Sequence, residues 1–327
     1  MAKKLHIDWS NYNLLCEKLI LQIAESSYQI DLVVAIMRGG AIPADLISRV
    51  LKKNTAYLCA KSYTGEKTED IYNKEISEGI YKTVFHAPAI SVNSHPGQFV
   101  NILPSSDWDH IMRRPMSIAS QGNAKISIIF KAVGEGTRIM ANWGKDTKVD
   151  LIGPLGNYWE EYNSSSPILI GGGVGIAPIL NLHNQLKKDQ IQHILIMGAR
   201  NAQEHFLKHD PKNNIYMSTD DGSLGIKGNV IDAVKFIYSN QSLPDDAKIF
   251  SCGPPLMMEA VRSYAIDNQL KCDLALETIM ACGIGICQGC TIERKVAESK
   301  DHSYRSRFAL SCIDGPIFSA EEIVSCG

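Results

Sequence analysis

Cys282, Cys287, Cys290 and Cys312 stand as C-x4-C-x2-C followed, after twenty-one residues, by a fourth C. Three thiolates from one loop and one from a distance are what a 2Fe–2S cluster takes, two irons being held by four cysteines. Gly283, Gly285 and Gly289 suit such a loop, because backbone without a Cβ wraps closely and aims N–H groups at sulfur. A structural zinc site is the competing chemistry. Zinc ligands usually come in two close pairs, however, and only Cys287 and Cys290 form one. Buried free thiols are the third alternative, at odds with four cysteines at this spacing. A 2Fe–2S cluster moves one electron at a time, so the rest of the chain has to supply electrons.

Two groups of residues further upstream have the chemistry to do so. In Arg114-Pro115-Met116-Ser117, a guanidinium and a hydroxyl three positions apart on an extended segment reach one ligand, the first a phosphate, the second a ring edge. Twenty residues on, Gly134-Glu135-Gly136-Thr137 opens a helix whose free N–H groups suit a pyrophosphate. Each alone is common loop punctuation. In this order, ahead of a nucleotide-type α/β unit, they favour a flavin nucleotide. Gly171, Gly172, Gly173 and Gly175 then lead from an apolar strand into a helix, a turn that lets a pyrophosphate approach the backbone. The run is not G-x-G-x-x-G, and a tight strand-to-helix turn without a ligand is its plain alternative. Cys252-Gly253-Pro254 follows another strand and leaves room for a flat ring in the crevice, the alternative being a simply buried thiol.

The elements that must position these residues fall into four stretches, giving a multidomain α/β plus β protein. Residues 1–70 form a short α/β segment, with an apolar strand at 30–37, a turn at Arg38-Gly39-Gly40 and a helix over 42–51. Residues 71–158 read as short strands at 79–88, 97–103, 124–133 and 148–151, which predicts an antiparallel β-barrel. Residues 159–272 alternate strand and helix, with strands at 168–170, 194–197, 215–217 and 248–251, as in a parallel α/β domain. Residues 273–327 carry the cysteine loop.

Composition narrows the partners. Lys+Arg 33 against Asp+Glu 35 leaves a net charge of −2, which gives no electrostatic footprint for nucleic acid or an anionic membrane. The longest apolar run, 167–180, is glycine-rich and too short to span a bilayer. The first residues lack the apolar stretch of a signal peptide. Nine cysteines in such a chain suit a reducing compartment, and the expected location is the cytoplasm.

From about residue 72 to the end, the sequence resembles the electron-transfer subunit of NAD-dependent (type B) dihydroorotate dehydrogenase, a ferredoxin-reductase-like family. The resemblance rests on Pro96-Gly-Gln-Phe-Val100, Arg114-Pro-Met-Ser-Ile118, Gly134-Glu-Gly-Thr137, Gly153-Pro-Leu-Gly-Asn157 and Gly171-Gly-Gly-Val-Gly175. It continues through Thr219-Asp-Asp-Gly-Ser-Leu-Gly-Ile-Lys-Gly228, Cys252-Gly-Pro-Pro255, the cluster loop and Cys312-Ile-Asp-Gly-Pro316. It implies FAD, a 2Fe–2S cluster and NAD as cofactors, with NADH reducing FAD and the cluster serving an FMN-containing catalytic subunit in a heterotetramer of two of each. It also implies flavin contacts at Arg114, Pro115, Met116, Ser117, Ile129, Phe130, Lys131, Gly136 and Thr137. Reductase subunits serving ferredoxin, sulfide or hydrogenase share the Asp-Asp-Gly-Ser run and the cluster, and stand as the alternative. Two local features depart from the pattern: a charged insertion over 293–307, and Cys326, close enough in sequence to replace Cys312 as a ligand. Arg200, after the second strand of the α/β stretch, is a residue type that attracts a 2′-phosphate.

The first seventy residues belong elsewhere. Residues 32–44 resemble the early strand and pyrophosphate loop of type I phosphoribosyltransferases, and Ser62-Tyr63 the start of their flexible loop. The ribose-phosphate motif, two acidic residues before a Thr-Gly loop, is missing ahead of the barrel. The expectation is an inactive fragment. A phosphoribosyltransferase-related nucleotide-binding protein is the alternative of another class.

Overall fold

A computed structural model describes residues 9–26, 30, 32–36, 47, 50–52, 54–58, 64–68, 71–105, 112–145, 147–239, 242–295 and 304–326. Two compact units divide between residues 62 and 63. In the first, helix α1 (Trp9–Glu25) precedes strands β1 (Leu32–Ile36) and β2 (Asn54–Leu58), which pair in parallel. Arg38-Gly39-Gly40 and Ser62-Tyr63 lie outside the described residues.

The second unit opens with a seven-stranded antiparallel sheet. Its strands are β3 (Thr64–Thr68), β4 (Ile71–Ser77), β5 (Ile80–His86), β6 (Phe99–Leu103), β7 (Arg114–Gly122), β8 (Lys125–Lys131) and β9 (Val149–Leu155). They lie in the order β3-β9-β6-β7-β8-β5-β4. β3 pairs with β9, so the sheet begins at Thr64, inside the stretch that sequence patterning gives to the N-terminal segment. Alternation along β9, with every second residue buried, and Ile126, Ile128 and Phe130 of the fully buried centre of β8 aim side chains into one core. That core gathers Ile71, Phe85, Val100, Ile118, Ile128, Phe130 and Leu151 from strands β4 to β9, with Met140 and Trp143 from the segment between β8 and β9. Two short helices cover it: α2 (Pro88–Asn93), with Pro88 in the first turn where no N–H is needed, and α3 (Glu135–Ala141).

Next comes a seven-stranded sheet with the order β13-β12-β11-β10-β14-β15-β18. It holds β10 (Ser166–Gly172), β11 (Ile194–Ala199), β12 (Ile215–Thr219), β13 (Ile226–Lys227), β14 (Ala247–Cys252) and β15 (Lys271–Ala275), all parallel, with β18 (Ile317–Ser319) antiparallel at the edge. Helices α4 (Ile176–Lys188), α5 (Val230–Ile237) and α6 (Pro255–Asp267) make the crossovers. The chain starts at β10, steps outward through β11 to β13, then returns to β14 on the other side of β10. This reversal opens a crevice at the carboxyl ends of β10 and β14, where ligands bind in open α/β sheets. Gly171 pairs with Cys252 across that point.

The cysteine loop between β15 and the short hairpin β16 (Thr291–Glu293) with β17 (Phe308–Leu310) is fastened to both sheets. β18 joins the parallel sheet through β15, a strand that crosses the 272/273 boundary set by patterning. On the other side Asn157 donates to the carbonyls of Asp314 (3.0 Å) and Ile317 (2.8 Å) and accepts from the Ile317 N–H (2.9 Å). Among the described residues, no helix is long and apolar enough to cross a membrane.

Candidate functional site

Positive backbone angles at Gly283 (φ 69°), Gly285 (φ 79°) and Gln288 (φ 59°) curl the loop around its own sulfurs. The Cys282 and Cys287 sulfurs lie 3.4 Å apart. The N–H groups of Ile284, Ile286 and Cys287 point at the Cys282 sulfur at 3.5, 3.3 and 3.4 Å, and that of Gly285 at the Cys312 sulfur at 3.1 Å. Cys282 and Cys290 are held below the ordinary thiol range, first by hydrogen bonds from the Cys312 thiol, which is itself pushed up as their donor. Four sulfurs crowded together and fed by backbone N–H groups fit thiolates on a two-iron cluster. No group of three or more His, Cys, Asp or Glu side chains is set to hold a single metal ion among the described residues. Cys290 and Cys312 are buried and Cys287 is exposed. Cys326 packs elsewhere, in the core under α6 with Cys272, its N–H bonded to Glu259 at 3.1 Å.

Asn101, fully buried on β6, ties this loop to the first sheet. Its amide donates to the Cys282 carbonyl at 3.1 Å, and a Cβ on Gly283 would stand 2.6 Å from the same nitrogen. Across β6, Asn101 faces Pro115 in the ladder. Asn101→Ala leaves that carbonyl unsatisfied, a loss of about 1–3 kcal/mol. The expected result is a lower denaturant midpoint and faster loss of the cluster from the protein with FAD retained. An unchanged cluster lifetime would contradict this tie.

A cavity of about 370 Å³ lies between the two sheets. It brings together Pro115, Met116, Ser117, Ile129, Phe130, Lys131 and Thr137 of the expected flavin contacts. Arg114 starts β7 beside it and lies over Gly136, where an added Cβ would meet its Nε at 2.9 Å. The far wall was not legible in sequence: Phe99, Val174, Ala177, Glu277, Thr278, Met280 and Pro316 arrive from β6, the glycine turn and the entry to the cysteine loop. Glu277 is open to solvent through the cavity yet surrounded by protein, and desolvation pushes its carboxyl above the usual range. The Thr278 hydroxyl in this wall is buried and has no hydrogen-bond partner among the described residues. An apolar slot with a few polar groups at its rim fits a flavin ring.

A second cavity, about 510 Å³, opens at the carboxyl ends of β10, β11 and β12. Gly172, Gly173 and Pro254 line it, together with Gly198, Arg200, Glu204, Asp220, Gly228 and Asn229. Gly173 (φ 54°) has nothing among the described residues within 4 Å of an added Cβ, so its backbone is open to a ligand. Gly171 and Gly175 face their own chain instead: a Cβ on Gly171 would run into Ile176, and one on Gly175 would stand 2.6 Å from the Gly253 backbone. Gly253 in turn packs against Gly172 and Met257. Burial pushes the Cys252 thiol far up, so it stays protonated and inert. Lys131 lines both cavities.

An antiparallel sheet with a flavin-sized slot, a parallel sheet with a dinucleotide crevice and a cluster loop define the ferredoxin-reductase-like class of NAD-linked flavin oxidoreductases. A solved structure described as an NADH-dependent reduced ferredoxin-NADP oxidoreductase superposes with a TM-score of 0.67 at 26% identity, covering 79% of this chain and 90% of that one. Residues 277–324 match the family model for the iron-sulfur cluster binding domain of dihydroorotate dehydrogenase B, and residues 169–263 that for the oxidoreductase NAD-binding domain. The dihydroorotate dehydrogenase B (NAD(+)) electron transfer subunit of Fusobacterium nucleatum is 35% identical over 77% of this chain and 95% of its own length. That of Bacillus velezensis is 33% identical over 77% and 95%. The chain belongs to this family of electron transfer subunits.

Proposed function

We propose that this chain carries electrons from NADH to an FMN-containing dihydroorotate dehydrogenase subunit, as one half of a heterotetramer of two of each, in the cytoplasm. One observation carries the reading. Phe99 and Met280 line the flavin cavity and also pack in one core with Cys290 and Cys312, so the two centres are separated by a single layer of side chains. A flavin held here would supply the conversion of a hydride into single electrons, and a cluster held by the four cysteines would supply their onward transfer.

The chain's own residues divide the work. Residues 71–158, with β3 joined at the edge of their sheet, form the flavin domain; 159–272 form the NAD domain and 273–327 the cluster domain. Arg114 and the α3 start hold the flavin pyrophosphate, with Pro115, Met116, Ser117, Ile129, Phe130 and Lys131 along the ring. Open backbone at Gly173 takes the dinucleotide pyrophosphate, while Gly171, Gly172, Gly175, Cys252, Gly253 and Pro254 set the floor of the crevice. Cys287 is the exposed ligand, and the partner takes up electrons on that side.

Co-expression tests the partner. A tagged chain should retain a second, FMN-containing chain through gel filtration, and the pair should reduce NAD with dihydroorotate. A ferredoxin or sulfide reductase would ignore dihydroorotate and reduce its own acceptor instead, and that result would reject this reading.

A further inference from the structure

We propose that Glu204 sets the choice of nicotinamide cofactor, by disarming Arg200 so that the crevice rejects a 2′-phosphate. The proposal rests on the reading of this crevice as the NADH site. In a parallel nucleotide-binding sheet, the adenosine ribose comes to the end of the second strand. An acidic residue there accepts from the 2′-hydroxyl, whereas an arginine there accommodates a 2′-phosphate. β11 is that strand, and Arg200 follows its last residue, Ala199. By residue type alone this position would favour NADPH.

The geometry reverses that preference. Glu204 Oε1 accepts from Arg200 Nε at 2.9 Å and from Nη2 in a short contact, and Oε2 accepts from the Arg200 backbone N–H at 3.1 Å. The donors that would grip a phosphate on this face of the guanidinium are already taken. Arg200 holds Glu204 below the usual carboxylate range, and Glu204 raises Arg200 further, so both stay charged. Asp220, at the end of β12, adds a second carboxylate to the same cavity.

Glu204 is set before any ligand arrives. It ends the 3-10 turn Ala202–Glu204, capped by Asn201, whose side chain accepts from the Gln203 N–H at 3.1 Å. The Ala202 N–H donates to Ser223 Oγ at 2.8 Å, and Ser223 Oγ donates to Asp221 at 2.6 Å. The Asp220-Asp221-Gly222-Ser223 run thus braces the turn that delivers Glu204. A 2′-hydroxyl can donate to these carboxylates. A 2′-phosphate meets two like charges and an arginine that is already occupied.

The test compares NAD⁺ and NADP⁺ dissociation constants, read by calorimetry, with flavin reduction by NADH and NADPH, in the FAD- and cluster-loaded protein. Glu204→Gln keeps the shape and removes the charge; Glu204→Ala also removes the acceptor. Either is expected to tighten NADP⁺ by about tenfold or more, the scale of one charge-assisted contact. NAD⁺ should weaken by a few-fold at most. Adding Arg200→Ala to either variant should return NADP⁺ to its original affinity. Unchanged NADP⁺ affinity in both single variants, with the parent still preferring NADH, would overturn the role of Glu204 alone. A parent that prefers NADPH would overturn this inference together with the donor reading.

Discussion

Cys312→Ser protein is expected to lose most of its 2Fe–2S absorbance while keeping FAD, and Cys326→Ser protein is expected to keep both. The difference is large because a two-iron cluster needs all four thiolates, and a serine hydroxyl at the buried Cys312 position does not ionise at neutral pH. Placement decides between the two cysteines. Cys312 receives the Gly285 N–H and shares a core with Cys290 and Met280. Cys326 sits beneath α6 among Cys272, Met258 and Val261, and burial pushes its thiol up to about 12, which leaves it protonated. FAD should stay, since its cavity takes nothing from residue 312. A normal cluster in Cys312→Ser together with its loss in Cys326→Ser would reverse the fourth-ligand assignment.

Arg114→Ala protein is expected to fold but shed FAD on dilution. A charge-assisted contact to a phosphate is worth roughly 1.5–3 kcal/mol, or about ten- to a hundred-fold in affinity. Arg114 is half-buried at the head of β7 and lies over Gly136, so its head reaches the start of α3. Removing the side chain leaves the ladder between β6 and β7 intact, because those bonds are backbone bonds. Flavin fluorescence after gel filtration reads the loss. Retention equal to the unaltered protein would count against the assignment of this sheet to FAD.

How far the sequence displayed this site depends on how local each part is. The cysteine loop was legible because three ligands and their glycines lie within nine residues, where spacing alone dictates the wrap. The strands of the parallel sheet were legible where apolar runs are continuous, as in β10 and β11. The start of the first sheet was not, since β3 is short, polar and adjacent to β4 in the chain, with nothing to mark which sheet it joins. Glycines were only half informative: the run 171–175 signals close backbone approach, yet Gly173 opens to a ligand while Gly175 packs on Gly253. No pattern in one segment separates those cases. Leu276, Glu277, Thr278 and Met280 complete the flavin cavity from more than a hundred residues beyond β8, and only the topology brings them there. Asn101 and Glu204 were missed for a related reason. Their side chains are ordinary for a strand and a turn, and their meaning comes from the Cys282 carbonyl and the Arg200 guanidinium they meet.

Anaerobic stopped-flow reduction by NADH, followed at flavin and cluster wavelengths, tests the electron route most directly. Because Lys131 lines both cavities and Phe99 and Met280 stand between the flavin cavity and the cluster core, flavin bleaching should come first and cluster bleaching second. Asn101→Ala should slow only the second phase. A cluster that bleaches before the flavin, or bleaches at an undiminished rate in protein stripped of FAD, would contradict the account.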